Sequence, residues 1–378
     1  SSRQSRRAHH RSASPSRSER WGILVVMDVL GTGGFAVGID EVVVGIDNGG
    51  TANKPTVLDA VGKFLVDEIV ELPSLVLSGP TVAVNALADA FESVLKLTGV
   101  DVSRVRAVGL DTPGPASADG VISSKGSTNF SQPEWRGFDI RAALEAKLGI
   151  PVVYSNDGNA AALYAHHVHF GDDAFRRSSV AAIVGTGLGG GLVESGHVIR
   201  GAAGMAGELG HIRIPLDGVL EPEQVEPVCN CGLVGDAESV ASLTAIQNYL
   251  LPYWLTRYPG HELAGLDPKV AAKQVRTYAE RGDAMARSIF AQQAMAIGRL
   301  FTIVSNVTDP HAYFLGGGVV ETTVEMREWF VALVREHTSL RAEQVQIASF
   351  SEVPDLDMAG ARGAALAAWD RVRAGLRR

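Results

Sequence analysis

From Glu41 onward, short β-branched runs that end in glycine or polar turns alternate with longer stretches whose apolar residues recur at helical spacing. Val42-Val43-Val44-Gly45-Ile46-Asp47 has the pattern of a buried strand, and Thr56 to Leu58 and Phe64 to Val70 extend it into a meander. Val82, Leu87, Phe91, Val94 and Leu95 stripe one face of a helix over Val82 to Leu97. A strand at Val105 to Leu110 then stops in the rigid turn Asp111-Thr112-Pro113-Gly114-Pro115, and the long polar loop Ser123 to Trp135 leads to a helix over Asp139 to Leu148 and a strand at Val152 to Tyr154. After a strand at Val180 to Val184 the pattern predicts helices over Lys269 to Glu280 and Met285 to Val307. A strand over Tyr313 to Val320, a helix over Glu325 to Glu336, a strand over Val345 to Phe350 and an alanine-rich helix from Ala359 complete it. Such alternation is the mark of an α/β sheet. No apolar run after residue 40 approaches the ~20 residues of a membrane span.

Several strands end in turns that carry chemistry. Val180 to Val184 turns through Gly185-Thr186-Gly187 and the triplet Gly189-Gly190-Gly191, where the lack of Cβ atoms lets backbone N–H groups approach an anion. Asp47 precedes Asn48-Gly49-Gly50-Thr51, a turn able to close on a phosphate with a carboxylate in reach of a Mg²⁺ held by ATP phosphates. Alone it is equally ordinary turn chemistry. Gly316-Gly317-Gly318 ends a later strand and suits a flat ring, such as adenine, lying on bare backbone. Ser155-Asn156-Asp157-Gly158-Asn159 puts Asp157 at the carboxyl end of the sheet, where it can accept a hydroxyl proton or cap the following helix. Asn129 can read a sugar hydroxyl or cap its own loop. Glu208 and His211, three residues apart in GELGH, can both face a polyhydroxyl ligand. His166, His167 and His169 read as a solvated helix face.

Composition narrows the class. At 378 residues the chain exceeds the size at which one core stops growing, so two domains are expected. Its net charge of −8 argues against a general nucleic-acid binder. The two cysteines, Cys229 and Cys231, are one residue apart and have no other partner, which points to a reducing cytosol and to metal or thiol chemistry. Ser1 to Arg20 is Arg/Ser-rich and reads as disordered. Trp21 to Ile39 has the apolarity of a signal-peptide core, but Asp28 interrupts it and no small-residue cleavage site follows. The segment reads instead as an extension upstream of the true start, with Met27 a candidate initiator.

Taken in order over Val42 to Ala368, these motifs resemble the ROK family of sugar kinases and repressors, within the actin-like ATPase superfamily. GIDNGGT (Gly45 to Thr51) is similar to its first phosphate motif, SNDGNAAA (Ser155 to Ala162) to its catalytic segment and GTGLGGG (Gly185 to Gly191) to its second phosphate motif. GELGH (Gly207 to His211) and CNCGLVGDAES (Cys229 to Ser239) resemble its sugar and zinc signatures. The resemblance implies two actin-like (ribonuclease H-like) α/β domains with an interdomain cleft, 41–156 plus 359–378 and 157–358. It makes Asp157 the general base, and Asn129, Asn156, Glu208, His211 and Glu238 the hydroxyl-reading set. Asp47, Gly49, Gly50, Thr51, Gly185, Thr186, Gly187, Gly189 and Gly316 to Gly318 would hold ATP with Mg²⁺. It further implies a cytoplasmic protein and, as is common in the family, a homodimer.

Two departures stand out. The family's lysine directly after GGT is replaced by Ala52 and Asn53 ahead of Lys54, so its cation is displaced or absent. The third zinc-ligand cysteine falls at Asp236, leaving His211, Cys229, Cys231 and an Asp236 carboxylate as the candidate Zn²⁺ set. Residues before Val42 hold no helix pair, which argues against a winged-helix regulator, and Asp157 argues against a silent sugar-binding module. The expected activity is ATP-dependent phosphorylation of a hexose, glucose first, with N-acylhexosamines, fructose and C7-cyclitols behind it and polyphosphate as an open alternative donor.

Overall fold

The first apolar run forms β1 (Val42–Asn48), fully buried over Val42 to Val44, and the chain turns at once into β2 (Ala52–Asp59). The computed structural model describes residues 40–114, 116–123 and 129–375. The readings of the Arg/Ser-rich start, of Trp21 to Ile39, of Pro115 and of the middle of the polar loop therefore lie outside the described residues. A short edge strand, β3 (Leu72–Pro73), precedes α1 (Pro80–Thr98), β4 (Val105–Thr112), α2 (Ile140–Leu148), β5 (Val152–Asn156) and α3 (Asp157–Phe170). The second half continues with β6 (Ser178–Val184), β7 (Leu188–Glu194), β8 (His197–Val198), α4 (Leu243–Ala245), α5 (Leu251–Arg257), α6 (Pro268–Glu280) and α7 (Ala284–Thr308). It closes with β9 (Ala312–Gly317), α8 (Val324–Glu336), α9 (Ala342–Val345), β10 (Ser349–Glu352) and α10 (Leu356–Arg373).

The strands make two five-stranded mixed sheets, ordered β3-β2-β1-β4-β5 and β10-β9-β6-β7-β8. In each, a central strand pairs antiparallel with its hairpin partner and parallel with the next strand inward. The helix that follows each last strand packs on the other sheet: α3 lies against β7 and β6, and α10 against β1 and β4. The two helices also pack on each other.

That arrangement requires glycine at the crossings. A Cβ on Gly45 would lie 2.0 Å from the Ala361 carbonyl oxygen, one on Gly109 1.9 Å from that of Ala364, and one on Gly363 1.8 Å from that of Ala160. The Gly189-Gly190-Gly191 triplet, expected as part of a turn, is β7 itself, paired with Ile183, Ala182 and Ala181. Gly191 is bare because α3 presses on it, a Cβ there lying 2.7 Å from that of Ala162, and Gly190 because a Cβ there would meet the Ala181 carbonyl and Leu209. Only Gly185 to Gly187 forms the turn.

Three other expectations are corrected. Phe64 to Val70 is not a strand: only Phe64 bridges to Leu58, and its ring turns inward against Tyr164 and beneath the Arg362 guanidinium. Val345 to Phe350 is split between α9 and β10, because the Gln344 side chain folds back onto the Arg341 N–H and opens a helix where the pattern suggested a strand. The three histidines do not share one solvated face: His169, near the end of α3, is exposed, His167 is half-buried and His166 is buried. His166 is fully buried, with Nδ1 bonded to Ser179 Oγ (2.8 Å) and Nε2 to the Ala174 carbonyl (2.8 Å), and burial pushes its pKa down to about 3.

These crossings are testable. Gly363→Ala should destabilise the protein by about 1–3 kcal/mol or more, because the added methyl has only backbone to displace. Gly260→Ala, with open space around its Cβ, should be close to neutral; urea unfolding of both variants decides it.

Candidate active site

The carboxyl ends of β1, β4 and β5 lie side by side, the place where open α/β sheets bind ligands. Each ends in an acid or delivers one: Asp47 on β1, Asp111 in register with it on β4, and Asp157 as the first residue of α3 after β5. Asn156 supplies the helix cap, accepting from Gly158 N at 2.9 Å, so Asp157 is spared that role; its own Oδ1 accepts from the same amide at 2.7 Å. Asp157 keeps solvent access on the open side of the recess while protein surrounds its carboxyl. Loss of hydration raises its pKa to about 7, with the Gly158 N–H pulling down and the charges of Asp47 and Glu208 adding to the rise.

Asp111 was read only as the start of a rigid turn. It is fully buried; no N–H or hydroxyl donor reaches either carboxyl oxygen, and its polar partner is the Asp47 carboxyl. Burial first, then the charges of Asp47 and Asp157, hold its carboxyl well above the usual range. A signal was present in the sequence: Gly109-Leu110-Asp111 repeats Gly45-Ile46-Asp47, and the two tripeptides pair residue for residue. The displaced lysine is also located. Lys54 sits directly across from Asp47 on β2, 3.6 Å from Glu71 and 3.7 Å from Asp357, so a cation is retained beside the first phosphate turn from the neighbouring strand.

The glycine turns are built to stay bare. Gly49 N bonds to Ala52 O (2.9 Å), Thr51 is exposed, and a side chain on Gly50 would run into Asn129, whose Oδ1 lies 2.4 Å from the Cβ position. Asn129 thus covers the first phosphate turn. In the other sheet Gly185 N bonds to Gly187 O (2.9 Å), and α4 is docked beside it through Leu243 N to Gly185 O and Thr244 N to Thr186 O. Gly189 has open space on its Cβ side. Gly316 and Gly317 pair with Ile183 and Val184, which brings the second and third glycine turns together. Gly317 takes φ 83° because a Cβ there would strike the Val184 carbonyl, and the Gly318 carbonyl accepts from Arg276.

Glu208 precedes the short turn Leu209–His211, which presents His211. Burial raises the Glu208 carboxyl above its ordinary range, opposed by His211 and reinforced by Glu238. Glu238 is committed on both oxygens: Oε2 accepts from Leu188 N at 2.8 Å and Oε1 from the Cys229 thiol at 3.2 Å. It ties the second glycine turn to the cysteine knuckle.

His211, Cys229, Cys231 and Asp236 converge, their donor atoms all within 4.8 Å of one another. His211 Nδ1 is 3.2 Å from Asp236 Oδ2 and 3.7 Å from Cys229 Sγ, and Cys231 Sγ is 3.7 Å from Asp236 Oδ2. Zinc bonds of about 2.0–2.3 Å separate tetrahedral donors by roughly 3.3–3.8 Å, so the set fits a zinc ion. The Asp236 carboxylate, buried and also accepting from Ser239 N, raises the His211 pKa to about 9 in this arrangement.

An acid at the carboxyl end of a sheet, with glycine turns at the strand ends of both sheets, is the arrangement of a phosphotransferase with an alcohol acceptor, built on a sugar-kinase fold. The ROK family model matches residues 43–371, and the chain belongs to that family. A glucokinase of Halalkalibacterium halodurans is 34% identical over 284 residues, 74% of this chain and 81% of that protein. The crystal structure of a ROK hexokinase from Thermus thermophilus superposes with a TM-score of 0.69 at 31% identity, covering 88% of this chain and 100% of that one. A ROK family glucokinase from Streptomyces griseus, in complex with glucose and AMPPNP, gives 0.63 at 28% identity, covering 87% and 99%. The chain is a ROK sugar kinase of the actin-like architecture expected from its motifs, and no helix among the described residues is long and apolar enough to cross a membrane.

The raised Asp157 pKa has a signed consequence for stability. Between its ordinary value of 3.8 and about 7 the folded protein holds a proton that the unfolded chain has released, so this group's contribution falls as pH rises through that window. Asp157→Asn removes the penalty. It should leave stability unchanged near pH 4 and increase it progressively up to pH 8 in urea unfolding; a pH-independent difference between variant and wild type would be the contrary result.

Proposed function

We propose that the enzyme transfers the γ-phosphoryl group of ATP to the 6-hydroxyl of glucose. The observation that carries this reading is Asp157, held at the start of α3 with its carboxyl raised to about 7. A base of that pKa is about half ionised near neutral pH and well matched to take a proton from an alcohol. The sugar would lie against Asn156, Glu208 and His211, with Asn129 linking it to the first phosphate turn and Glu238 fixing the second. Backbone N–H groups at Gly49 to Thr51 and Gly185 to Gly187 would hold the phosphates, and the bare backbone at Gly316 to Gly318 would take the adenine. Little covalent help is needed for phosphoryl transfer, so positioning and charge neutralisation supply most of the catalysis. The similarity to two glucokinases, one bound with glucose and AMPPNP, supports glucose and an adenine nucleotide as the pair. The halves 41–156 plus 359–378 and 157–358 would act as two domains closing on it.

Purified protein assayed for ADP release should turn over glucose faster than mannose, N-acetylglucosamine, N-acetylmannosamine or a cyclitol, and ATP should outperform polyphosphate as donor. Asp157→Asn should lower kcat by at least ~100-fold with sugar affinity nearly intact. A faster N-acylhexosamine reaction would move the substrate assignment, and near wild-type turnover in the variant would remove Asp157 as the base.

We also infer that His211, Cys229, Cys231 and Asp236 hold zinc, whose contribution when bound is to fix the pocket wall that carries His211. Asp236 replaces a soft ligand with a hard one, so the ion should be held weakly. Asp236→Cys should raise zinc retention after chelator treatment and raise Tm. Zinc-free, fully active protein prepared without chelator would instead leave Asp236 as the hydrogen-bond partner that orients His211.

A further inference from the structure

We propose that Asp47 and Asp111 together form a site on the protein itself for a hard divalent cation, able to fill before any nucleotide binds. The two residues are paired in register on adjacent parallel strands, so their side chains leave the sheet on the same face. That face is covered by α10, and both carboxyls converge on one point of it: the Cβ position of Gly360 is 3.0 Å from Asp111 Oδ2 and 3.2 Å from Asp47 Oδ2. Asp111 has no exposed surface and no N–H or hydroxyl donor on either oxygen; its one polar partner is the Asp47 carboxyl, with which it shares a hydrogen bond while one of the two holds a proton that a cation would displace. A buried carboxyl that is doing structural work would be found capping a helix or meeting a lysine or arginine, and this one does neither.

The surrounding charge is one-sided. Asp157 acts on Asp111 from β5's end, and Glu71 acts on Asp47 from beside β3. Lys54 is the cation that acts on both, and its ammonium is already shared between Glu71 at 3.6 Å and Asp357 at 3.7 Å. An all-oxygen donor pair in a negative field suits Mg²⁺ or Mn²⁺, which take one or two carboxylates and keep the rest of their shell for water and substrate phosphates. Gly49 to Thr51 follow Asp47 after the single residue Asn48, so a cation held here would meet the phosphates at their own turn. Its purpose as a phosphate anchor rests on the kinase reading above; its existence does not.

The test uses the full chain without sugar or nucleotide, titrated with Mn²⁺ while free Mn²⁺ is followed by electron paramagnetic resonance. One Mn²⁺ per chain should bind, Asp111→Asn should weaken it by at least ~10-fold, and Asp236→Asn, at the cysteine knuckle, should leave it unchanged. MgCl₂ should raise the Tm of the wild type and not that of Asp111→Asn. Should Asp111→Asn fail to fold, Gly360→Ala, whose methyl would press on both carboxyls, should weaken Mn²⁺ in its place. Absence of nucleotide-free binding in the wild type, or wild-type affinity in Asp111→Asn, overturns the proposal. Mn²⁺ binding without sugar phosphorylation would instead overturn the substrate assignment alone, and normal ADP release without Mn²⁺ binding would overturn only the cation site.

Discussion

Backbone contact between helices and sheets is the constraint on which the rest of this structure depends. Sheet, α10, α3 and sheet follow one another with glycine or alanine at the crossings, at Gly45 and Ala361, Gly109 and Ala364, Gly363 and Ala160, and Gly191 and Ala162. Close packing of this kind leaves no slack, so displacing one layer moves the next. The same contacts set the chemistry. Gly45 and Gly109 each lie two residues before an aspartate on the same face of their strands, and Gly360, one residue before Ala361, sits over both carboxyls. Asp157 opens the very helix that α10 rests against.

Electrostatic cost follows from that placement. Carboxyls at the strand ends are surrounded by protein and by each other, and their pKa values rise rather than fall. A fold optimised for stability alone would pair such groups or replace them with apolar ones. Here the unpaired state is retained where a phosphate, a cation or a hydroxyl proton has to be met, which is where perturbed acids are expected to gather.

Much of this was legible in the sequence, and the misses have physical reasons. Strands that end in glycine were readable because the turn itself calls for glycine, as at Gly317, whose φ is 83°. Gly190 and Gly191 were not, because a glycine that admits a helix, as Gly191 does, or a side chain from another loop, as Gly190 admits Leu209, looks the same in one dimension as one in a turn. His166 was assigned to solvent along with His169, which is exposed, but it lies on the packed side of α3 and is satisfied by Ser179 and Ala174. Phe64 to Val70 carried strand composition, but Phe64 found Tyr164 and Arg362 across the molecule. Lys54 was counted as displaced along the chain, whereas hairpin register returned it to Asp47. The double commitment of Glu238 depends on Leu188 and Cys229, distant contacts that no local pattern encodes.

The position of α10 has a consequence for how the molecule is made. The last helix of the described chain covers a face of the sheet formed by the first strands, and its Trp369 is buried with its indole N–H bonded to the Leu58 carbonyl. During synthesis, β1, β2, β4 and β5 therefore leave the ribosome with that apolar face uncovered, and they wait for nearly the whole second half before α10 arrives. Contacts of such long sequence separation form late, and an intermediate with a bare sheet face is the one at risk of sticking to its neighbours. The aspartates of the first sheet are thus translated early and become enclosed only when the opening turns of α10 close over them.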